Sequence, residues 1–541
     1  MASADAGLTT AATAAQQSLF VRKATGLVRG WSMLDGSIYA FYACNIVLGL
    51  WVLTFGPFIP NGGLFWAIVI CAVFTLFQVL TYAGLISAVP RAGGDYVWQS
   101  RILTGSIGFV LAVTGWWFIL WHWVPIYANI TVISCFQPLL KIIGAHHFAN
   151  TLTTKNGIFV TSLIVIGVTW GYISLGMRGY AQIQRASFFA GALAFVVFVI
   201  LMLVNSKANF ISSFNREAHD LYGAHGNAYQ ETLKSSGYHA PGLLSFNAKD
   251  TFLMVGFIAF YLIYPNWGAT LAGEVRGAGD MKRNIRAMAM ALAMATVASL
   301  IFLALFAKTF GWQFYNAASN GYWSGKGALG AYPFPIMLGG WLVASHAFQF
   351  ILITLFSLWI FGWYGTVFLS STRVIFASAF DRILPEWAAY VSPRRRVPVA
   401  ALLLMVVPSI PIAALYAYWS KFAGYTLDAA LVIVVTYLGT SLAAMIMPWR
   451  LKRVYANSAI ARYQLFGIPA ITIVGFGSFA FMSYLLAIWL KDSVYGVNNR
   501  NSLIYMAILY AIALAIYGVS RVVRWRQGLP LERVMGEIPV E

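Results

Sequence analysis

Apolar stretches of about 20 residues, the length that a helix needs to cross the hydrocarbon core of a bilayer, recur twelve times along the chain. This pattern predicts an all-α integral membrane protein with twelve transmembrane helices, which we number as spans 1 to 12 in chain order. The spans are expected at residues 34–58, 62–88, 104–142, 156–176, 184–204, 251–272, 286–311, 341–379, 398–419, 424–448, 467–490 and 502–523.

Two longer polar segments separate some of these spans. Residues 205–250 carry nearly balanced charge and three histidines, whose irregular spacing does not argue for a metal site. Residues 312–340 are rich in Gly, Tyr and Trp. We expect both segments to be outer loops that act as lids, the first of them solvated.

Composition and charge support the membrane assignment and orient the chain. Only 9% of the residues are charged, whereas a soluble globular protein carries about 25%. The net charge of +19 would suit nucleic acid, but most of the 35 Lys and Arg fall on the termini and on alternate loops. Positive residues accumulate on the cytoplasmic side, so we expect cytoplasmic termini and no nucleic-acid partner. Residues 1–30, which lack the apolar core of a secretory signal, and residues 525–541 are predicted to be the cytoplasmic tails.

Span 6 is interrupted at Tyr264, Pro265 and Asn266. Proline removes a backbone donor and clashes with the preceding turn, so nearby amides and carbonyls lose their helical partners. Polar backbone at membrane depth persists only against other protein or a wet cavity, and transporters place substrate at such breaks. The alternative is a proline kink packed against a neighbouring helix.

Span 1 carries one strongly polar side chain near its middle, Asn45, followed by Gly49. A polar side chain at this depth either contributes to a substrate site or makes a hydrogen bond between helices, which contributes about 0.6 to 2 kcal/mol in bilayers. Both interpretations of Asn45 are open at this point.

Several loop motifs resemble those of amino acid permeases of the APC (amino acid–polyamine–organocation) superfamily. The turn at 90–96 (PRAGGDY) is similar to the family's P-R-(S/A)-G-G-(A/D)-Y turn. The runs at 274–276 (EVR) and 282–286 (KRNIR) resemble the segment after the family's sixth span, and 370–387 and 394–398 resemble the end of its eighth span and the start of its ninth. The chain is therefore identified as a suspected member of this superfamily.

The resemblance implies a LeuT-like fold, with an inverted repeat of five plus five helices and two extra helices. The transporter core would be 31–450, and 451–524 would hold spans 11 and 12. In the family a Gly-Ser-Gly sequence unwinds span 1 and offers amides to the substrate carboxylate. Here only Gly49 remains, and Leu48 narrows the approach.

The substrate site is expected at the two breaks and on the aromatic faces of spans 3 and 8. The expected substrate-binding residues are Asn45, Ile46, Val47, Leu48, Gly49, Trp121, His122, Leu262, Ile263, Tyr264, Pro265, Asn266, Trp363 and Tyr364.

Two groups are candidates for energy coupling. His122 can change charge near neutral pH, and an ionisable group inside a membrane is a functional hypothesis by default; a neutral histidine bonded to a helix carbonyl is the alternative. The hydroxyls of Ser370, Ser371 and Thr372 suit sodium, or they return to carbonyls of their own helix. Gly191 stands where proton-coupled relatives carry a lysine, and we expect proton coupling or exchange rather than sodium coupling.

The expected function is a permease of the plasma membrane that carries amino acids or related amines. The alternative is a non-transporting sensor or subunit that keeps the fold. The sequence has no HExxH, Walker A or GxSxG motif, and its three cysteines show no metal-ligand spacing, so we expect no enzyme activity, no cofactor and no metal site.

The expected partners are the amino acid or related small substrate and membrane lipid, with the protein a monomer or homodimer. No acidic residue lies in the middle of spans 1, 3, 6 or 8, and a bare charge at mid-membrane costs about 2.5 to 3.5 kcal/mol. A neutral or apolar amino acid is therefore favoured over polyamines.

Overall fold

The computed structural model describes residues 21, 25–327 and 329–539. In this part of the chain, twelve helices or runs of helices are long and apolar enough to cross a membrane. They are Met33–Phe58, Leu64–Ala88, Gly105–Ile142, Lys155–Ile173, Gly176–Val204, Ala248–Glu274, Met281–Ser324, His346–Phe380, Val399–Tyr418, Ser420–Arg450, Ala470–Lys491 and Arg500–Arg526. The predicted all-α fold with twelve spans is confirmed. Most of the predicted tail at 1–30 lies outside the described residues.

Short elements connect the spans. The helices are Asp95–Ile102, His146–Leu152, Lys207–Tyr222, Ala228–Ser236, Pro335–Gly340, Lys452–Ala456 and Leu531–Met535, with 3₁₀ turns at Glu386–Ala389, Ala459–Arg462 and Ser493–Tyr495. Strands Gln464–Leu465 and Ile468–Pro469 form an antiparallel hairpin between spans 10 and 11.

The two expected outer loops are largely helical, so that part of the prediction was wrong. Residues 205–250 contain two helices, and span 7 continues to Ser324 through what we expected to be a loop. Phe210 and Phe214 are four positions apart and share one helix face. They pack on Phe310 and Phe314, with ring centroids 4.5 and 4.9 Å apart. This buried aromatic contact explains why the segment folds instead of remaining a solvated loop.

Because the number of spans is even, the start of span 1 and the end of span 12 lie on the same side of the membrane, which we call the terminal face. The connections after spans 2, 4, 6, 8 and 10 lie on it, and the remaining connections lie on the opposite face. Spans 1 and 6 are both interrupted near their middles. Because they are five spans apart, the interruptions fall at equivalent places in the two halves of a five-plus-five repeat.

Candidate functional site

Span 1 is broken at Cys44 and Asn45, between the helices Met33–Ala43 and Ile46–Val52. The Asn45 side chain caps the second half: its Oδ1 accepts hydrogen bonds from the amide of Val47 at 2.7 Å and of Leu48 at 3.2 Å. An asparagine is among the best residues for this position because its oxygen satisfies amides that have no helical partner. The family resemblance implies that backbone amides at this place bind the substrate carboxylate. Here the amides of Val47 and Leu48 donate to the Asn45 side chain.

Span 6 is broken at the predicted place. The helix Ala248–Leu262 ends before Ile263 and Tyr264, and the chain resumes at Pro265 as a 3₁₀ helix that runs to Glu274. The two breaks are neighbours, since the Cys44 thiol points at the Leu262 carbonyl with a sulfur–oxygen distance of 3.8 Å. The broken ends of spans 1 and 6, one from each repeat, therefore lie next to each other in the interior of the bundle.

Aromatic rings from span 3 surround the break in span 6. The centroid of the Trp123 ring lies 5.6 Å from that of Tyr264 and 6.0 Å from that of Trp267. The indole N–H of Trp267 donates to the hydroxyl of Tyr437 in span 10 at 2.9 Å. The wall of the site is thus apolar, with few polar atoms.

Several buried polar atoms near the break make no hydrogen bond within the described part of the chain. They are the Trp123 indole nitrogen, the hydroxyls of Tyr127 and Tyr264, and the side-chain nitrogens of Asn45 and Asn266. Buried polar groups are normally paired, so this cluster marks a place where a ligand or water would supply the missing partners.

The expected residues of span 3 do not all lie at the break. The Trp121 ring packs on Trp117 and Phe118. The His122 ring stacks on Phe422, with centroids 4.7 Å apart. Trp123, which is not among the residues expected at the substrate site, is the residue of this segment that contacts Tyr264 at the break.

The helical spacing of the aromatics in span 3 could have identified the residues at the break. Trp116, Trp123 and Tyr127 are separated by seven and four positions, so they share one helix face. Trp116 contacts Trp267 and Trp123 contacts Tyr264. The face that carries these three residues is therefore the one turned toward span 6.

The two residues expected in span 8 lie on the same side of the bundle as Tyr127. The Trp363 ring packs directly against Tyr127 and lies 6.4 Å from the Trp123 ring. Tyr364 pairs through its hydroxyl with Thr131 of span 3. Trp363 therefore adds to the aromatic wall, and Tyr364 joins spans 3 and 8 beside it.

The hydroxyl run of span 8 is engaged within the protein. Ser371 donates to the carbonyl of Val367 at 2.8 Å, and Thr372 donates to the carbonyl four positions before it. Ser370 pairs with the phenol of Tyr39 in span 1 at 2.6 Å. The hydroxyls of Ser371 and Thr372 therefore return to carbonyls of their own helix, and the hydroxyl of Ser370 links spans 1 and 8.

A cavity of about 400 Å³ opens above the breaks toward the face opposite the termini. Trp51 and Phe257 belong to the half-helices on that side of the breaks. Trp323 lies at the end of span 7, Gly424 at the start of span 10, and Gly496 in the connection between spans 11 and 12. No acidic or basic side chain is among the described residues that line it. A molecule that enters the cavity from this face therefore meets an uncharged and mainly aromatic surface.

The terminal face is closed beneath the breaks by close backbone contacts. The amide of Gly93 donates to the carbonyl of Thr270 at 2.9 Å. A Cβ at Gly94 would lie 2.9 Å from the backbone of Ala269, so only glycine allows this approach. The PRAGGDY turn thus rests directly on the second half of span 6.

Buried ion pairs add to this closure. Arg373 of span 8 forms a bidentate pair with Glu274 at the end of span 6, at 2.6 and 3.0 Å, with both side chains buried. Arg101 pairs with Asp381 at 2.6 Å. Burial alone would lower the pKa of Arg101, but the adjacent carboxylate raises it above its ordinary value. The first pair links spans 6 and 8, and the second links the helix Asp95–Ile102 to the residue that follows span 8.

Twelve spans, two facing half-helix breaks and a cavity on one side of them, lined by residues of both broken helices, define a transporter of the broken-helix class. The amino acid permease family model matches residues 36–514, so the chain belongs to the amino acid permease family. A comparison with curated proteins gave no match. Membership makes the protein a membrane transporter of amino acids in the general sense.

Proposed function

We propose that the protein carries a neutral or apolar amino acid across the plasma membrane by alternating access, with cytoplasmic termini. The observation that carries this proposal is the pair of facing breaks with an aromatic wall and unpaired buried polar atoms. Backbone carbonyls near the end of the helix at Leu262, which the break separates from continuing helix, can bind the ammonium group, and the rings of Trp123 and Trp363 offer apolar contact to the side chain. A closed terminal face and a cavity on the other side correspond to one of the two states that alternating access requires.

The aromatic, uncharged surroundings favour a neutral side chain on the substrate. A second cationic group would need an acidic partner at this depth, and no acidic residue lines the outer cavity among the described residues. Related amines with a single positive charge remain within the proposal, because aromatic faces attract cations by about 0.5 to 2 kcal/mol.

Uptake into proteoliposomes tests the proposal. Each of the twenty amino acids would compete with one labelled neutral amino acid, and apolar ones should compete best. Trp123→Ala and Trp121→Ala form a matched pair, equal in the volume removed but different in contact with the break. We expect uptake to fall in Trp123→Ala and to persist in Trp121→Ala. The reverse result would move the site to the Trp121 side of span 3.

A non-transporting sensor is the competing hypothesis. It predicts saturable amino acid binding by the purified protein with no uptake into vesicles, whereas the permease predicts both.

For coupling we propose proton symport or exchange, with His122 as the titrating candidate. The His122 ring lies among Phe422, Tyr416 and Tyr505, so it would act on the site through spans 9, 10 and 12 rather than by touching the substrate. Sodium at Ser370, Ser371 and Thr372 remains the alternative. Dependence of uptake on external sodium at fixed pH would decide between them.

A further inference from the structure

A second cavity, of about 350 Å³, lies on the terminal face away from the proposed substrate site. Its walls come from the start of span 5 at 175–178, the turn at 394–396 between spans 8 and 9, the segment that precedes span 1, and Glu274. We call it the arginine cavity, because Arg178, Arg394, Arg395 and Arg396 all line it.

The arginine cavity carries a positive charge that none of the described residues neutralises. Its four arginines are exposed and make no ion pair with the described residues. The Arg395 guanidinium donates one hydrogen bond to the carbonyl of Ser174 at 3.0 Å, which fixes its position without cancelling its charge. Glu274, the acidic residue that lines the cavity, already forms an ion pair with Arg373.

The start of span 5 adds backbone donors to the same cavity. This helix runs from Gly176 to Val204, and no side chain caps its first turn. The first amides of a helix lack partners and carry the positive end of the helix dipole. A Cβ at Gly176 would lie 2.6 Å from the carbonyl oxygen of Arg395, so the arginine turn is held directly against this helix end.

We infer that the arginine cavity binds a phosphate-bearing anion, either the headgroup of an anionic phospholipid or a soluble phosphate compound. Guanidinium forks bind phosphate oxygens in a bidentate manner, and a helix start suits the same group. This site is separate from the substrate site, so the inference goes beyond the proposed function. The bound anion would lie next to Gly30 and to Glu274, whose carboxylate is paired with Arg373. It would therefore stabilise the closed terminal face.

Binding to the purified, full-length protein tests the inference with two probes. Phosphatidylglycerol, compared with phosphatidylcholine, reports on a lipid headgroup by native mass spectrometry of retained lipid. Inorganic phosphate, compared with chloride at equal ionic strength, reports on a soluble ligand by thermal stabilisation. A preference for either phosphate probe supports the site and identifies the source of its ligand; indifference to both overturns it.

Matched variants locate the binding. Arg394→Ala with Arg396→Ala removes two cations from the cavity, and Lys452→Ala with Arg453→Ala removes two exposed cations from another connection on the same face. We expect the first variant to weaken binding by about tenfold or more, since it removes two guanidinium groups that donate charge-assisted hydrogen bonds to phosphate oxygens, and the second to leave it unchanged. Equal weakening in both would show attraction to the basic face as a whole and overturn the site.

If the first variant does not elute as a monodisperse protein, Arg178→Ala takes its place. Arg178 lies on the helix side of the cavity, away from the turn. Its substitution should weaken binding of the preferred probe while transport of amino acid by the same preparation continues. Unchanged affinity in a folded Arg178→Ala protein would contradict the inference.

Discussion

The Asn45 side chain accepts hydrogen bonds from two amides. We propose that it competes for them with the substrate carboxylate, and Asn45→Ala tests this competition. The substitution removes the oxygen that accepts from Val47 at 2.7 Å and from Leu48 at 3.2 Å. Loss of an N-cap costs about 0.5–2 kcal/mol, and a buried donor left unpaired costs about 1–3 kcal/mol. We expect a loss near 2 kcal/mol, which lowers the ratio of folded to unfolded protein roughly thirtyfold.

Thermal unfolding of the purified protein, with and without a transported amino acid, measures both effects. Asn45→Ser is the matched control, because serine keeps a capping oxygen and is nearly as good as asparagine at this position. In Asn45→Ala the freed amides can take the carboxylate, so the amino acid should stabilise this variant more than the wild type. Equal stability of the Ala and Ser variants without ligand would refute the cap. Equal stabilisation by ligand would refute the competition.

Four further substitutions test separate parts of the structure. Pro265→Ala restores a backbone donor and should let span 6 continue as a helix, so uptake falls while expression persists; wild-type uptake would make the break a packing kink. His122→Gln should flatten the pH dependence of uptake, because the variant lacks the imidazole that would gain and lose the proton, and an unchanged profile would remove His122 from coupling. Burial raises the pKa of Asp95, which lies between spans 2 and 3, from 3.8 to about 6, although hydrogen bonds from hydroxyl groups lower it. Between pH 3.8 and 6 the Asp95 carboxyl therefore keeps its proton in the folded protein but loses it in the unfolded protein, so the free energy of unfolding should fall as the pH rises through this range. Thermal unfolding of Asp95→Asn should not show this pH dependence. If the variant retains it, another group is responsible. Glu274→Gln leaves Arg373 charged and buried without its partner, at a cost of about 3–5 kcal/mol, and a wild-type unfolding temperature would contradict that cost.

The breaks depend on local chemistry, and the one in span 6 was predictable from it. Pro265 has no amide hydrogen wherever it is placed, and Asn45 caps the helix that begins one residue later. The spacing of Trp116, Trp123 and Tyr127 places them on one face of span 3, but no local pattern shows which neighbouring span that face meets. Successive residues of a helix point about 100° apart, so Trp123 contacts Tyr264 at the break while the neighbouring His122 packs on spans 9, 10 and 12.

By itself, the sequence determined the number of spans, the position of the break in span 6 and the family resemblance, because hydropathy, proline and short motifs act over a few residues. Only the tertiary structure decided which side chains meet. Glu274 and Arg373 are 99 positions apart, and the cation that neutralises a buried carboxylate is chosen by how spans 6 and 8 pack. The arginine cavity likewise exists because Gly176 allows span 5 to begin against the turn at 394–396. Such contacts depend on the packing of whole helices, which no local pattern in the chain records.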